Sequence, residues 1–291
     1  MKDALDPVRF FDEASERHVT PCGVGGMVWR VWGEGATLVL LHGGHGSWTH
    51  WIRVIGELAR RYRVVAPDLP GLGESAKPPE PYSAESLAAI VAQGLDIVTG
   101  GEPPFQIVGF SFGGLIGGHV ARLLPARVRK LVLVGAGGLG LPRGPREEMW
   151  RWHGIEDPQR RLAAHRRNLE ILMIHDPAKV DDLAVRLQAE NATRARLKSR
   201  PIAYTDTLRR ALASTEVPLA GIWGERDATV GSDLAEFEAL LRRLRPNLEF
   251  RSVAGAGHWA AYEAPDLFLE ALHSVLEQRS TAETRGSSAA G

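Results

Sequence analysis

Gly109-Phe110-Ser111-Phe112-Gly113-Gly114 sets a serine among glycines, directly after the apolar pair Ile107-Val108 and ahead of a helical pattern running to Leu124. On such a strand-to-helix turn the hydroxyl is pushed out above the sheet. Flanking glycines are needed there because side chains would strike the neighbouring strand and helix. The turn also puts the backbone N–H of Phe112 at a helix N-terminus, where developing negative charge is favoured. A serine hydroxyl is a poor nucleophile until a base takes its proton. Of the ten histidines, His258 has the position for that role, in the glycine loop Gly255-Ala256-Gly257-His258-Trp259 between the strand-like Glu249–Val253 and the last helical pattern. A carboxylate must then orient the imidazole and stabilise its charged form. Asp227, in Gly224-Glu225-Arg226-Asp227, lies just past a strand end and is preferred to Glu225 and Asp233.

Acyl transfer through a serine needs a second donor for the oxyanion. His42-Gly43-Gly44-His45-Gly46-Ser47 follows the apolar run Thr37–Leu41, and its glycines let the N–H of Gly44, or else of His45, approach the reacting oxygen. A metal site built from His42, His45 and His50 is the rival reading of this loop. Glycine flexibility and the lack of carboxylates count against it. Neither a Gly-Lys-Ser/Thr nor a Gly-x-Gly-x-x-Gly pattern is present to cradle a phosphate.

The elements that must position these groups follow an α/β rhythm. Thr37–Leu41, Arg63–Ala66, Phe105–Val108, Lys130–Val134 and Leu219–Trp223 are apolar runs without polar alternation, which suits strands of a parallel sheet buried on both faces. Gly26–Trp32 alternates more and reads as an antiparallel edge. Helical patterns cover Trp48–Arg61, Ala84–Thr99, Gly113–Leu124, Ser232–Leu244 and Ala264–Gln278. The pattern predicts a doubly wound, mostly parallel sheet. More than eighty residues separate Val134 from Leu219, too many for one crossover. Helix formers at Glu147–Trp152, Gln159–Ile174, Lys179–Arg200 and Thr205–Ala213 predict a helical insertion over the sheet's active edge. The expected division is a core over 1–138, a helical cap over 139–204, a second core segment over 205–279 and a disordered tail over 280–291.

Composition narrows the partners. Lys+Arg and Asp+Glu are equal at 35 each, so nothing points to a nucleic acid, and the basic stretches Arg160–Arg167 and Arg194–Arg200 read as solvated helix faces. The single cysteine, Cys22, cannot form an internal disulfide. No apolar run approaches the ~20 residues that span a bilayer, and the N-terminal residues lack a signal-peptide core, so a cytoplasmic protein with no membrane partner is expected. Trp48, Phe110, Trp152 and Trp259, with Trp150, Met173 and Tyr262, could line an apolar pocket for a small hydrophobic ester or related carbonyl compound.

The chain resembles the α/β-hydrolase superfamily. The matching pieces are His42-Gly43-Gly44, Asp68-Leu69-Pro70-Gly71-Leu72-Gly73-Glu74-Ser75, Gly109-Phe110-Ser111-Phe112-Gly113-Gly114, Gly224-Glu225-Arg226-Asp227 and Gly257-His258. Together they span about Thr37 to Gln278, and the order Ser111, Asp227, His258 is that of the fold. The resemblance implies an eight-stranded sheet with a helical cap and no cofactor; no metal is expected either, on the residue argument above. Within the superfamily the chain looks most like capped carbon–carbon bond hydrolases acting on ring-cleavage products and like related esterases; His258-Trp259 and the double glycine after Ser111 match the former. That group has Asn before the nucleophile, where this chain has Phe110, and it uses a cap arginine for its substrate's carboxylate, for which Arg194 or Arg196 could serve. Three functions follow: a carboxylic-ester hydrolase first, then a carbon–carbon bond hydrolase of a dienoate, then a non-catalytic ligand receptor. A homodimer is left open.

Overall fold

The computed structural model describes residues 6–101, 103–142, 147–230 and 233–277. Eight strands form one sheet: β1 (Glu16–Cys22), β2 (Gly25–Trp32), β3 (Thr37–Leu41), β4 (Arg63–Pro67), β5 (Phe105–Phe110), β6 (Val128–Val134), β7 (Leu219–Gly224) and β8 (Glu249–Val253). They lie in the order β1-β2-β4-β3-β5-β6-β7-β8. β1 and β2 pair antiparallel, β2 runs antiparallel to β4, and the pairs from β4 to β8 are parallel. The five apolar runs are β3 to β7, with β3 as read and the others extended by a residue or two. β1 has no counterpart in the sequence reading, because its half-exposed residues and Pro21 lack the apolar continuity of a buried strand.

Side chains alternate across the sheet with the strand period of two. Val39 and Leu41 join one core layer with the helices Ala84–Thr99, Phe112–Leu123 and Leu234–Leu244; Leu38 and Leu40 join the other with Trp51, Ile55 and the helix Pro265–Glu277. Ser83 starts Ala84–Thr99 through a reciprocal cap with Ser86, and Gly100 ends it in the left-handed conformation. Ser232 and Gln278, expected at helix ends, lie outside the described residues, as does the expected tail.

Trp48–Arg61 is not one helix. It is a 3-10 turn, Trp48–Trp51, followed by a single α turn, Ile55–Leu58. Side-chain bonds claim its backbone: Asp68 Oδ1 accepts the Trp48 N–H at 2.9 Å and Ser47 Oγ accepts that of Thr49 at 3.3 Å. Between β6 and β7 the chain forms the helices Pro158–Leu172, Asp182–Arg194, Arg200–Ala203 and Thr207–Ala213. Residues 147–152 are not helical; Asn168 brackets Trp150, its Oδ1 accepting the Trp150 N–H and its Nδ2 donating to the Trp150 carbonyl. Among the described residues no helix is long and apolar enough to cross a membrane.

Candidate active site

Ser111 sits between β5 and the helix Phe112–Leu123 with φ 52° and ψ −110°, a strained backbone for a residue with a side chain. The neighbouring glycines make the turn possible. A methyl group at Gly109 would stand 2.5 Å from the Gly114 Cα, one at Gly113 would stand 2.1 Å from the Leu41 carbonyl oxygen, and one at Gly114 would stand 2.7 Å from the Ala136 Cβ. The Ser111 N–H donates to the Val134 carbonyl at 2.8 Å, which ties the turn to β6.

Asp227, past the end of β7, and His258, past β8, meet through Asp227 Oδ2 and His258 Nδ1 at 2.8 Å, both buried. The other nitrogen, Nε2, is therefore the one left for a reacting hydroxyl. Among the described residues the Ser111 hydroxyl makes no hydrogen bond. The rival carboxylates are spent elsewhere: Glu225 accepts from the Gly255 N–H and Asp233 caps the helix Leu234–Leu244. Close packing leaves Gly135 no room, since its Cβ would lie 3.0 Å from both Asp227 Oδ2 and His258 Nδ1. Phe110 lays its ring on His258, centroids 4.9 Å apart.

Two residues absent from the sequence reading hold this pair. Thr229 donates to Asp227 Oδ1 from its hydroxyl at 2.7 Å and from its N–H at 2.8 Å. Glu263, 2% exposed, accepts the N–H groups of Gly257 (2.6 Å), His175 (3.0 Å) and Asp176 (2.8 Å), joining the loop before His258 to the insertion. A carboxylate at the end of the short helix Ala260–Glu263 gives no spacing signal for such a role.

The loop after β3 is built by histidines and by the Asp68–Ser75 segment. His42 Nδ1 donates to the Gly43 carbonyl at 2.8 Å, and its Nε2 accepts the Leu69 N–H at 2.8 Å. Both nitrogens are engaged, so His42 has no lone pair to give a metal. Burial pushes its pKa down to about 4 against the opposing bond to Gly43, so the ring is neutral at neutral pH. His50 accepts the Gly43 N–H at 3.2 Å, and its burial drives its pKa down as well. Asp68, buried, accepts from Trp48 and Glu74 N–H groups and faces Arg30 at 3.5 Å. These contacts leave the N–H groups of Gly44 and Phe112 without a partner among the described residues. His45, at φ 52°, has its pKa lowered by burial and then by Arg200 and His153.

Ser111, His258, Gly44, His45, Phe112, Phe110 and Trp152 line one cavity of about 660 Å³. Trp150 and Met173 line it as well. Trp48, Trp259 and Tyr262 do not: Trp48 packs on Trp32 beneath Arg30, and Trp259 packs at a tilt on Tyr262 while its Nε1 donates to the His50 carbonyl. Apolar type alone does not separate a pocket wall from the core behind it. Arg194 is absent from the lining and faces Glu74, and Arg196, although in the lining, donates to the carbonyls of Gly73 and Ser75. Among the described residues, Arg151, Lys198 and Arg200 lie in the wall without an ion pair, and no carboxylate lines the cavity.

Residues 38–271 match the model of the alpha/beta hydrolase family. The chain belongs to that family. It is 31% identical over 262 residues to a 2-hydroxy-6-oxononadienedioate/2-hydroxy-6-oxononatrienedioate hydrolase of Paraburkholderia phymatum, covering 83% of this chain and 87% of the relative. It is 31% identical over 234 residues to a pimeloyl-[acyl-carrier protein] methyl ester esterase of Vibrio campbellii, covering 72% and 84%. A third relative, the dihydrolipoyllysine-residue acetyltransferase component of the acetoin cleaving system of Pseudomonas putida, is 32% identical over 84% of this chain, which spans 65% of that protein's length. The fold is also that of an esterase from Rhodococcus, with a TM-score of 0.71 at 24% identity over 92% of this chain and all of that one.

Proposed function

We propose that the protein is a serine hydrolase that cleaves carboxylic esters through an acyl-enzyme on Ser111. The reading rests on one arrangement: a serine on a strained turn and a histidine braced by a buried aspartate, both facing a single cavity. Ser111 Oγ attacks the ester carbonyl while His258 Nε2 takes its proton and Asp227 holds the Nδ1–H. The N–H groups of Gly44 and Phe112 stabilise the oxyanion. His258 then returns the proton to the leaving alkoxide, and a water activated by the same ring releases the acid. The 139–204 segment serves as the cap. Phe110, Phe112, Leu172 and Met173 favour an apolar group near Ser111, while Arg151, Lys198 and Arg200 suit a substrate with an anionic far end.

A panel of aryl esters of varied acyl length, neutral or ending in a carboxylate, tests the reading, with Ser111→Ala as control. Turnover and fluorophosphonate labelling should both vanish in the variant. Equal labelling of both proteins would mean another nucleophile. Full biological activity in the variant would favour a receptor. Carbon–carbon cleavage of a dienoate is the second reading, supported by the likeness to the Paraburkholderia hydrolase. Phe110, which offers no polar atom beside Ser111, speaks for the ester, and turnover of a dienoate above that of the best ester would reverse the order.

A further inference from the structure

Ser199 belongs to the insertion, yet it lies against the loop after β3. A methyl group at Gly44 would stand 2.3 Å from Ser199 Oγ and 3.2 Å from Ser199 Cβ, with Phe112 Cβ next at 3.7 Å. Gly44 is thus the residue that fits because the Ser199 side chain occupies the space beside it. Ser199 is 4% exposed, and among the described residues its hydroxyl has no hydrogen-bond partner. It does not cap the short helix that follows, although its carbonyl accepts the Ile202 and Ala203 N–H groups at 3.2 and 2.9 Å, which fixes its backbone. Ser199 lines the cavity that holds Ser111. A hydroxyl with an unspent proton, on a buried residue of the cavity wall, therefore lies against Gly44, whose N–H, like that of Phe112, has no partner among the described residues. Buried polar groups are rarely left unpaired, and one facing a cavity finds its partner in what enters it.

We infer that Ser199 is a third donor to the oxyanion, delivered from the insertion rather than from the core. Its hydroxyl hydrogen-bonds the carbonyl oxygen of the substrate as that oxygen gains negative charge; no proton is transferred and no bond to Ser199 forms. Such a donor acts more on the transition state than on bound substrate, so its loss lowers kcat and leaves KM nearly unchanged. The inference rests on Ser111 as nucleophile and deepens that reading.

The test uses the full chain with Ser199→Ala and Ser199→Thr, an aryl ester as substrate, and an aryl trifluoromethyl ketone, which forms a tetrahedral adduct with a serine. Ser199→Ala should lower kcat on the order of a hundredfold and weaken the ketone by a similar factor. Ser199→Thr, which keeps the hydroxyl, should stay within about tenfold of the parent on both measures. If Ser199→Ala folds poorly, Ser199→Gly carries the same expectation. Unchanged kcat, or a fall in kcat with undiminished ketone affinity, overturns the inference. Failure of the underlying reading looks different: Ser111→Ala would then keep its turnover and its response to the ketone, whatever Ser199 does.

Discussion

Replacing Thr229 with valine removes one hydroxyl from the Asp227–His258 pair and nearly preserves side-chain shape. In the parent, Asp227 Oδ1 receives the Thr229 hydroxyl at 2.7 Å and the Thr229 N–H at 2.8 Å, leaving Oδ2 for His258. Valine keeps the N–H and deletes the stronger of the two restraints on carboxylate rotation. Thr229 is 9% exposed, so water replaces the lost donor poorly. A hydrogen bond to a charged group is worth about 1.5–3 kcal/mol. Only the part that aligns His258 in the transition state reaches the rate, and about 1.4 kcal/mol of it is tenfold. We therefore expect kcat on an aryl ester to fall roughly tenfold, with KM little changed. The rate of fluorophosphonate labelling should fall in parallel, since it uses the same base. Thr229→Ser, which restores the donor, should recover most of the loss. Parent-like kcat and labelling in Thr229→Val would refute the role, and so would a failure of serine to rescue, because a hydroxyl at this position would then not restore the pair.

Three further outcomes are expected. His42 must stay neutral, because its Nε2 accepts the Leu69 N–H. With its folded pKa pushed down to about 4 from 6.5, the unfolded chain takes up the proton first as pH falls, so this contribution is intact above 6.5 and lost on the way to 4. Urea unfolding should show about 2 kcal/mol less stability at pH 5 than at pH 7, and His42→Asn should flatten that slope; an equal slope would exclude His42 as a source. Gly113→Ala drives a methyl group to 2.1 Å from the Leu41 carbonyl oxygen, where backbone must move. It should destabilise the fold by about 3 kcal/mol or more, read as a lowered melting temperature. Glu263→Gln turns one acceptor oxygen into a donor facing either the N–H groups of Gly257 and His175, which share Oε2, or that of Asp176 on Oε1, and should cost about 1–3 kcal/mol while slowing turnover by displacing His258. Unaltered melting and kcat would mean that the loop before His258 is held by other bonds.

What could be read from the residue order divides by range. Glycine requirements are local, so the turn at Ser111 is visible in its own six residues, and the distances at Gly109, Gly113 and Gly114 give the reason. Strands buried on both faces announce themselves by unbroken apolar runs, whereas β1, with one face open, does not. Side-chain convergence across the chain carries no such signature. Nothing near Thr229 or Glu263 says that one will hold Asp227 and that the other, bonded to His175 88 residues before it, will tie Gly257 to that segment. The same limit explains the tryptophans: Trp152 and Trp259 are alike in type, and only the packing of the insertion puts the first on the cavity and the second behind it, against Tyr262. The insertion arginines extend the point. Arg196 donates to the carbonyls of Gly73 and Ser75 in the loop after β4, and Arg194 faces Glu74 of the same loop at 3.9 Å. Charges that look like a solvated face in the sequence are thus turned back onto the chain, and one of them, Arg196, forms part of the cavity wall.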